Sequence, residues 1–72
     1  MQFAICLDNK EYEASLEIGK LYQVIPDEEA ARHGYIRLID ESEEDYAFTA
    51  GRFHVLQLPV PVEKALLSAL RV

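Results

Sequence analysis

Hydrophobic positions change period once along this chain. As far as Leu58 they recur every second residue in short runs, and after Pro59 they recur at intervals of three and four. Alternation is the mark of a half-buried strand, and the longer interval is the mark of a helix. Residues 1–8 read as a strand with Phe3, Ile5 and Leu7 on one face and the small Ala4 and Cys6 on the other. Asp8-Asn9-Lys10 is a turn signal, because Asx side chains bond their own backbone. Residues 11–18 alternate Tyr12, Ala14, Leu16 and Ile18 with Glu11, Glu13, Ser15 and Glu17, which predicts an extended arm, part strand and part loop. Gly19-Lys20 breaks it. A strand over residues 21–25 stops at Pro26, which has no N–H for a ladder.

Residues 27–33 carry a complete set of helix-end signals. Asp27 suits the N-cap, Glu28 and Glu29 the positive end of the dipole, Arg32 and His33 the negative end, and Gly34 the left-handed stop. Strands follow at residues 35–39 and 45–49, joined by an acidic turn over residues 40–44. Ala50-Gly51-Arg52 makes a tight link to a last strand at residues 53–58. The predicted core is Phe3, Ile5, Val24, Ile36, Leu38, Phe53 and Val55.

The C-terminal helix is expected over about residues 61–71, with Pro61 in its first turn and Arg71 in its last. Val62, Leu66 and Leu70 form one stripe, flanked by Ala65 and Ala69, able to close the open end of a small β structure. Leu67 lies about 100° round from Leu66 and falls off that stripe. Val72 ends the chain on no particular face. Leu67, with Val60, is therefore left over, and an apolar patch of this kind predicts self-association as a homodimer.

Seventy-two residues make a single domain. A chain of this length buries only about 60% of its unfolded surface, so stability rests on a well-filled core or on another chain. Half the residues are hydrophobic, enough for either. Cys6 is the lone cysteine and sits in an apolar run, so it reads as a small buried hydrophobe in a reducing compartment. The N-terminus has no signal-peptide pattern, and no apolar run reaches the eighteen or so residues of a membrane span. A cytoplasmic protein without membrane association is expected.

Net charge is −6, and its placement matters more than its size. Residues 27–45 hold eight of the thirteen acids and two of the seven bases, so the whole excess lies in one central segment. Nucleic acid is disfavoured as a partner, because binding it depends on Lys and Arg neutralising phosphate. A basic protein is the complementary choice.

Several runs have a shared cadence. These are G-K-x-Y-x-V at residues 19–24, x-I-R-x-I-D-E-S at 35–42, D-Y-x-F at 45–48, and F-x-x-x-x-L-P at 53–59. Over roughly residues 14–60 the chain resembles small bacterial SH3-like barrel proteins, mostly uncharacterised. The resemblance implies a mainly β fold: one SH3-like domain over residues 1–72, with a barrel of about five strands at about 1–59, a short helical turn and the C-terminal helix. The opening A-L-Y-D-Y and the tryptophans of eukaryotic peptide-binding SH3 domains have no counterpart, so recognition of Pro-rich peptides does not carry over. Fold alone does not give function.

The densest chemistry is D-E-S-E-E-D-Y-A-F at residues 40–48. Three readings are open for Asp40, Glu41, Glu43, Glu44 and Asp45: a metal site, a docking patch for a basic partner, or the solvated end of a hairpin. Asp40, Ser42 and Glu44 alternate as calcium ligands do, yet no glycine follows before Thr49 to make the sharp turn of a calcium loop. Of the four tyrosines, Tyr12 and Tyr46 stand beside acids and are expected outside, where aromatics on a barrel flank can hold an extended peptide. His33 and His54 lack a spaced partner for a ligand pair or general base, and there is no phosphate loop or nucleophile elbow. The expectation is a small acidic protein-interaction or accessory module, not an enzyme, with no cofactor. A nucleic-acid-mimicking inhibitor or antitoxin-like protein is the first alternative and a small enzyme the second.

Overall fold

The computed structural model describes residues 2–70, the side chain of Leu70 excepted. Met1, Arg71 and Val72, and with them the expected end of the C-terminal helix, lie outside the described residues. In chain order the elements are β1 (Gln2–Cys6), β2 (Leu21–Gln23), α1 (Glu28–Arg32), β3 (Tyr35–Ile39), β4 (Asp45–Thr49), a 3-10 turn (Ala50–Arg52), β5 (Phe53–Gln57) and α2 (Val60–Leu70).

The five strands form two antiparallel sheets, β2-β1-β5 and β3-β4. A single bridge, Val24 to Leu38, and the Ile25 N–H donating to the Arg37 carbonyl at 2.9 Å join them. The expected barrel is not closed. β4 and β5 do not pair, because the chain changes sheets within the turn between them. The Ala50 N–H still donates to Gly34 beside β3, at 2.9 Å, while the Arg52 carbonyl already accepts from Leu7 beyond β1, at 2.8 Å.

Between the sheets lies one contiguous core of Ala4, Cys6, Leu16, Tyr22, Val24, Ile36, Leu38, Phe48 and Phe53. Its β1 contribution is the small-residue face, Ala4 and Cys6, not the face of Phe3, Ile5 and Leu7. Small side chains here leave room for Tyr22, Leu38 and Phe48 in a close-packed interior. Phe3 is fully buried on the opposite face, Ile5 is half-buried there, and Leu7 is exposed past the strand's end. Val55, expected in the core, is 42% exposed. It stands on an edge strand, at the mouth of the sandwich.

α2 contributes Leu67 and Ala69 to a cavity it shares with β2 and the turn between β3 and β4. Leu67 shares a cavity with Gln23, the cross-strand neighbour of Phe3. The helix residues least exposed are Glu63, Leu66 and Leu67, whereas Val62 is exposed. Of the predicted Val62–Leu66–Leu70 stripe, Leu66 is half-buried and Val62 is exposed, and the side chain of Leu70 lies outside the described residues.

α1 follows its signals closely. The Ala30 N–H donates to the Asp27 carboxylate at 3.0 Å, and Gly34 takes φ +80°. The arm does not follow its pattern. Residues 11–18 contain no strand, and Tyr12 accepts from the N–H groups of Ser15 and Leu16 at 3.0 and 2.9 Å in a turn that drives Leu16 inward. The Asn9 amide holds that turn by donating to the Leu16 carbonyl at 3.0 Å.

Candidate functional site

The acidic hairpin end divides by role. Asp40 makes the turn: its carboxylate accepts from the Ser42 N–H at 2.9 Å, and its backbone accepts from Glu43 and donates to Glu44, both at 3.0 Å. Glu43 sits at φ 65°, the left-handed position such a turn needs. Asp45, on the first residue of β4, is paired with Arg37 across the hairpin, and the Arg37 Nε donates to it at 2.9 Å. That guanidinium holds the Asp45 carboxyl below its ordinary range.

Glu41 reaches back to the other sheet. Lys20 Nζ donates to its Oε1 at 2.8 Å, the Tyr22 hydroxyl donates to its Oε2 at 2.9 Å, and its own N–H donates to the Ser15 carbonyl at 3.0 Å. The Lys20 hydrogen bond, with help from Tyr22, keeps the Glu41 carboxyl below its usual value. Tyr22 is buried, its hydroxyl also accepts from the Glu17 N–H at 2.7 Å, and burial foremost pushes its pKa up. The phenol therefore stays protonated and donates.

Three of the five acids are thus occupied by the fold. Glu43 and Glu44 have no ion-pair partner among the described residues and are exposed. No group of three or more metal-ligating side chains occurs among the described residues.

Tyr12 and Tyr46, predicted outside, are 36% and 54% exposed. They come from different segments and meet on one ring. Tyr12 packs edge-on against Phe48 with centroids 5.1 Å apart, and Tyr46 lies 5.0 Å from the same ring. The Arg52 guanidinium sits 4.8 Å from the Tyr12 centroid and donates to the Lys10 carbonyl at 2.8 Å, so the arm is pinned where Tyr12 needs it. Phe48 and Arg52 are further parts of this site, not expected from the sequence. The spacing Tyr46-Ala47-Phe48 held a clue, since residues two apart in a strand share a face.

A cavity of about 600 Å³ lies on the other side of the acidic turn, lined by Lys20, Tyr22, Ile39, Glu41, Glu43 and Leu67 among others. Leu67, the predicted self-association residue, is half-buried here instead of standing outward. His33 is exposed on the end of α1, 3.7 Å from Glu29, and His54 is exposed on β5. Cys6 is buried, and burial pushes its thiol pKa up, away from nucleophilic character. No helix among the described residues is long and apolar enough to cross a membrane.

A scan against protein-family models, a search of curated proteins and a search of solved structures each find no match for this chain.

Proposed function

We propose that this chain is a protein-interaction module that docks an extended, basic segment of a partner protein on its Tyr12–Tyr46 face. The observation that carries the reading is the pair of exposed tyrosines seated on Phe48, with Tyr46 two residues beyond Glu44, whose exposed carboxylate has no ion-pair partner among the described residues. Rings with an apolar body and a polar tip suit the aliphatic stems of Lys and Arg, and the nearby carboxylate suits their heads. The arm and hairpin are tied together by the Glu41 N–H on Ser15, so the two tyrosines are presented in a fixed arrangement that limits the ordering cost of binding. The strand order supports an SH3-like reading in which a three-stranded and a two-stranded sheet face each other and a 3-10 turn links the last two strands. The missing barrel closure and the absence of tryptophan set it apart from peptide-binding SH3 domains.

The test is capture from the source lysate on the immobilised chain, comparing the parent with a Tyr12→Ser/Tyr46→Ser double variant. A basic protein held by the parent, lost by the variant and weakened by added salt is the expected result. Identical retention on both would remove the tyrosines from the account, and retention that only salt abolishes would favour charge mimicry.

A further inference from the structure

We infer that the free edge of β5 is a self-pairing edge, through which two copies of this chain join their three-stranded sheets by antiparallel β5–β5 pairing centred on Val55. β5 ends its sheet, since the order is β2-β1-β5. Ladder parity fixes which of its backbone groups point outward. The Leu7 N–H donates to the Arg52 carbonyl at 2.8 Å, and Ile5 lies opposite His54 and Phe3 opposite Leu56. Hydrogen-bonded pairs alternate along an antiparallel ladder, so His54 and Leu56 bond β1, while Val55 and Gln57 turn their N–H and C=O groups away from it. The Phe53 N–H is already bonded to the Ala50 carbonyl, but its C=O points outward with theirs. In the paired form Val55 exchanges both bonds with Val55 of the partner subunit, and the Gln57 N–H donates to the carbonyl of Phe53 of the partner subunit.

A second observation falls at the same place. A cleft of about 260 Å³ opens between the two sheets beside Val55, lined by Val24, Ile25, Ile36, Tyr35 and Ala50 among others. Val55 and Tyr35 are 42% and 45% exposed at its mouth. A strand laid on the β5 edge places its own central side chain on the Val55 side of the sheet, beside this apolar mouth. Main-chain pairing beside an apolar pocket is the arrangement of strand addition.

Charge selects the occupant. Natural edge strands are guarded by charge, proline or bulges. The open edge of β4 has Asp45, preceded by Glu43 and Glu44. Phe53–Gln57 has no Asp, Glu, Lys, Arg or proline, in a chain whose net charge is −6. The segment that fits must be extended, uncharged and apolar at its central position. β5 itself meets this description, and antiparallel pairing about Val55 is a closed two-fold contact.

Sedimentation equilibrium over an about hundredfold concentration range, with hydrogen exchange on the same samples, tests this. The expected result is a monomer–dimer equilibrium in which the Val55 and Gln57 amides slow as the dimer fills. Added salt tightens the dimer by screening like charge, opposite to its effect on a basic partner. Val55→Lys raises the dissociation constant at least about tenfold, and Val55→Thr leaves it nearly unchanged. A monomer throughout the range overturns the inference and leaves the edge to a foreign peptide. A dimer whose Val55 and Gln57 amides exchange as in the monomer also overturns it. The exchange measurement uses the parent chain, so it stands even where the Lys variant fails to fold.

Discussion

At the scale of residues, the five acids of the hairpin end look alike in sequence and act differently in the fold. Asp40 was legible as a turn former, because its work is done within two residues. The role of Glu41 was not, because its partners Lys20 and Tyr22 lie about twenty positions away and only the packing of two sheets brings them near. Replacing Glu41 by Gln removes the charge from the Lys20 contact and weakens the acceptor of the buried Tyr22 hydroxyl. Hydrogen bonds to charged groups are worth about 1.5–3 kcal/mol, and partial exposure reduces this to a loss of about 1–2 kcal/mol. Glu43→Gln/Glu44→Gln, with no ion pair among the described residues to lose, should stay within about 0.5 kcal/mol of the parent or above it. Acid gives a second reading of the same melts. The Glu41 carboxyl is lowered in the folded state, so the unfolded chain binds the proton more tightly. Its stabilisation is complete above the ordinary carboxyl range and disappears as pH falls through the lowered folded value. The gap between parent and Glu41→Gln should therefore narrow on acidification, and a gap constant with pH would show that the Lys20 pair contributes nothing.

At the scale of elements, the readable ones were those whose signals are local. α1 has its cap, its charge order and its stop within eight residues, Asp27 to Gly34, and it forms where they place it. Asp27→Ala should cost about 1 kcal/mol by thermal melt, the usual value of an N-cap, and Asp27→Ser should restore most of it. Equal melts for Ala and Ser would mean that the Asp27 contact with Arg37, 3.5 Å away, matters more than the cap. The hairpin β3–β4 was equally legible, because its alternation and turn agree. Three features were not. Residues 11–18 alternate as a strand would, yet local turn bonds around Tyr12 win over any ladder. β1 alternates on both faces with apolar residues, and which face is the core depends on the size of what lies opposite. Val55 looks like a core residue in any window of sequence, and only the missing partner strand on its free side makes it an edge residue.

At the scale of the whole molecule, the two sheets separate the surface chemistry. The acidic and aromatic face is built from the arm and the β3–β4 hairpin, and the uncharged edge belongs to β5 in the other sheet. That charge would gather in the middle of the chain was plain from the sequence. That Tyr12 and Tyr46 would share Phe48 as a common seat was not, because their contact joins segments more than thirty residues apart. This face is the proposed binding surface. The most direct test is chemical-shift mapping of the isotopically labelled chain titrated with an extended peptide alternating Arg and Leu. Shifts that saturate, centre on Tyr12, Glu44 and Tyr46, and shrink with added salt are the predicted result. An unperturbed spectrum, or shifts confined to α2 and the β5 edge, would contradict it.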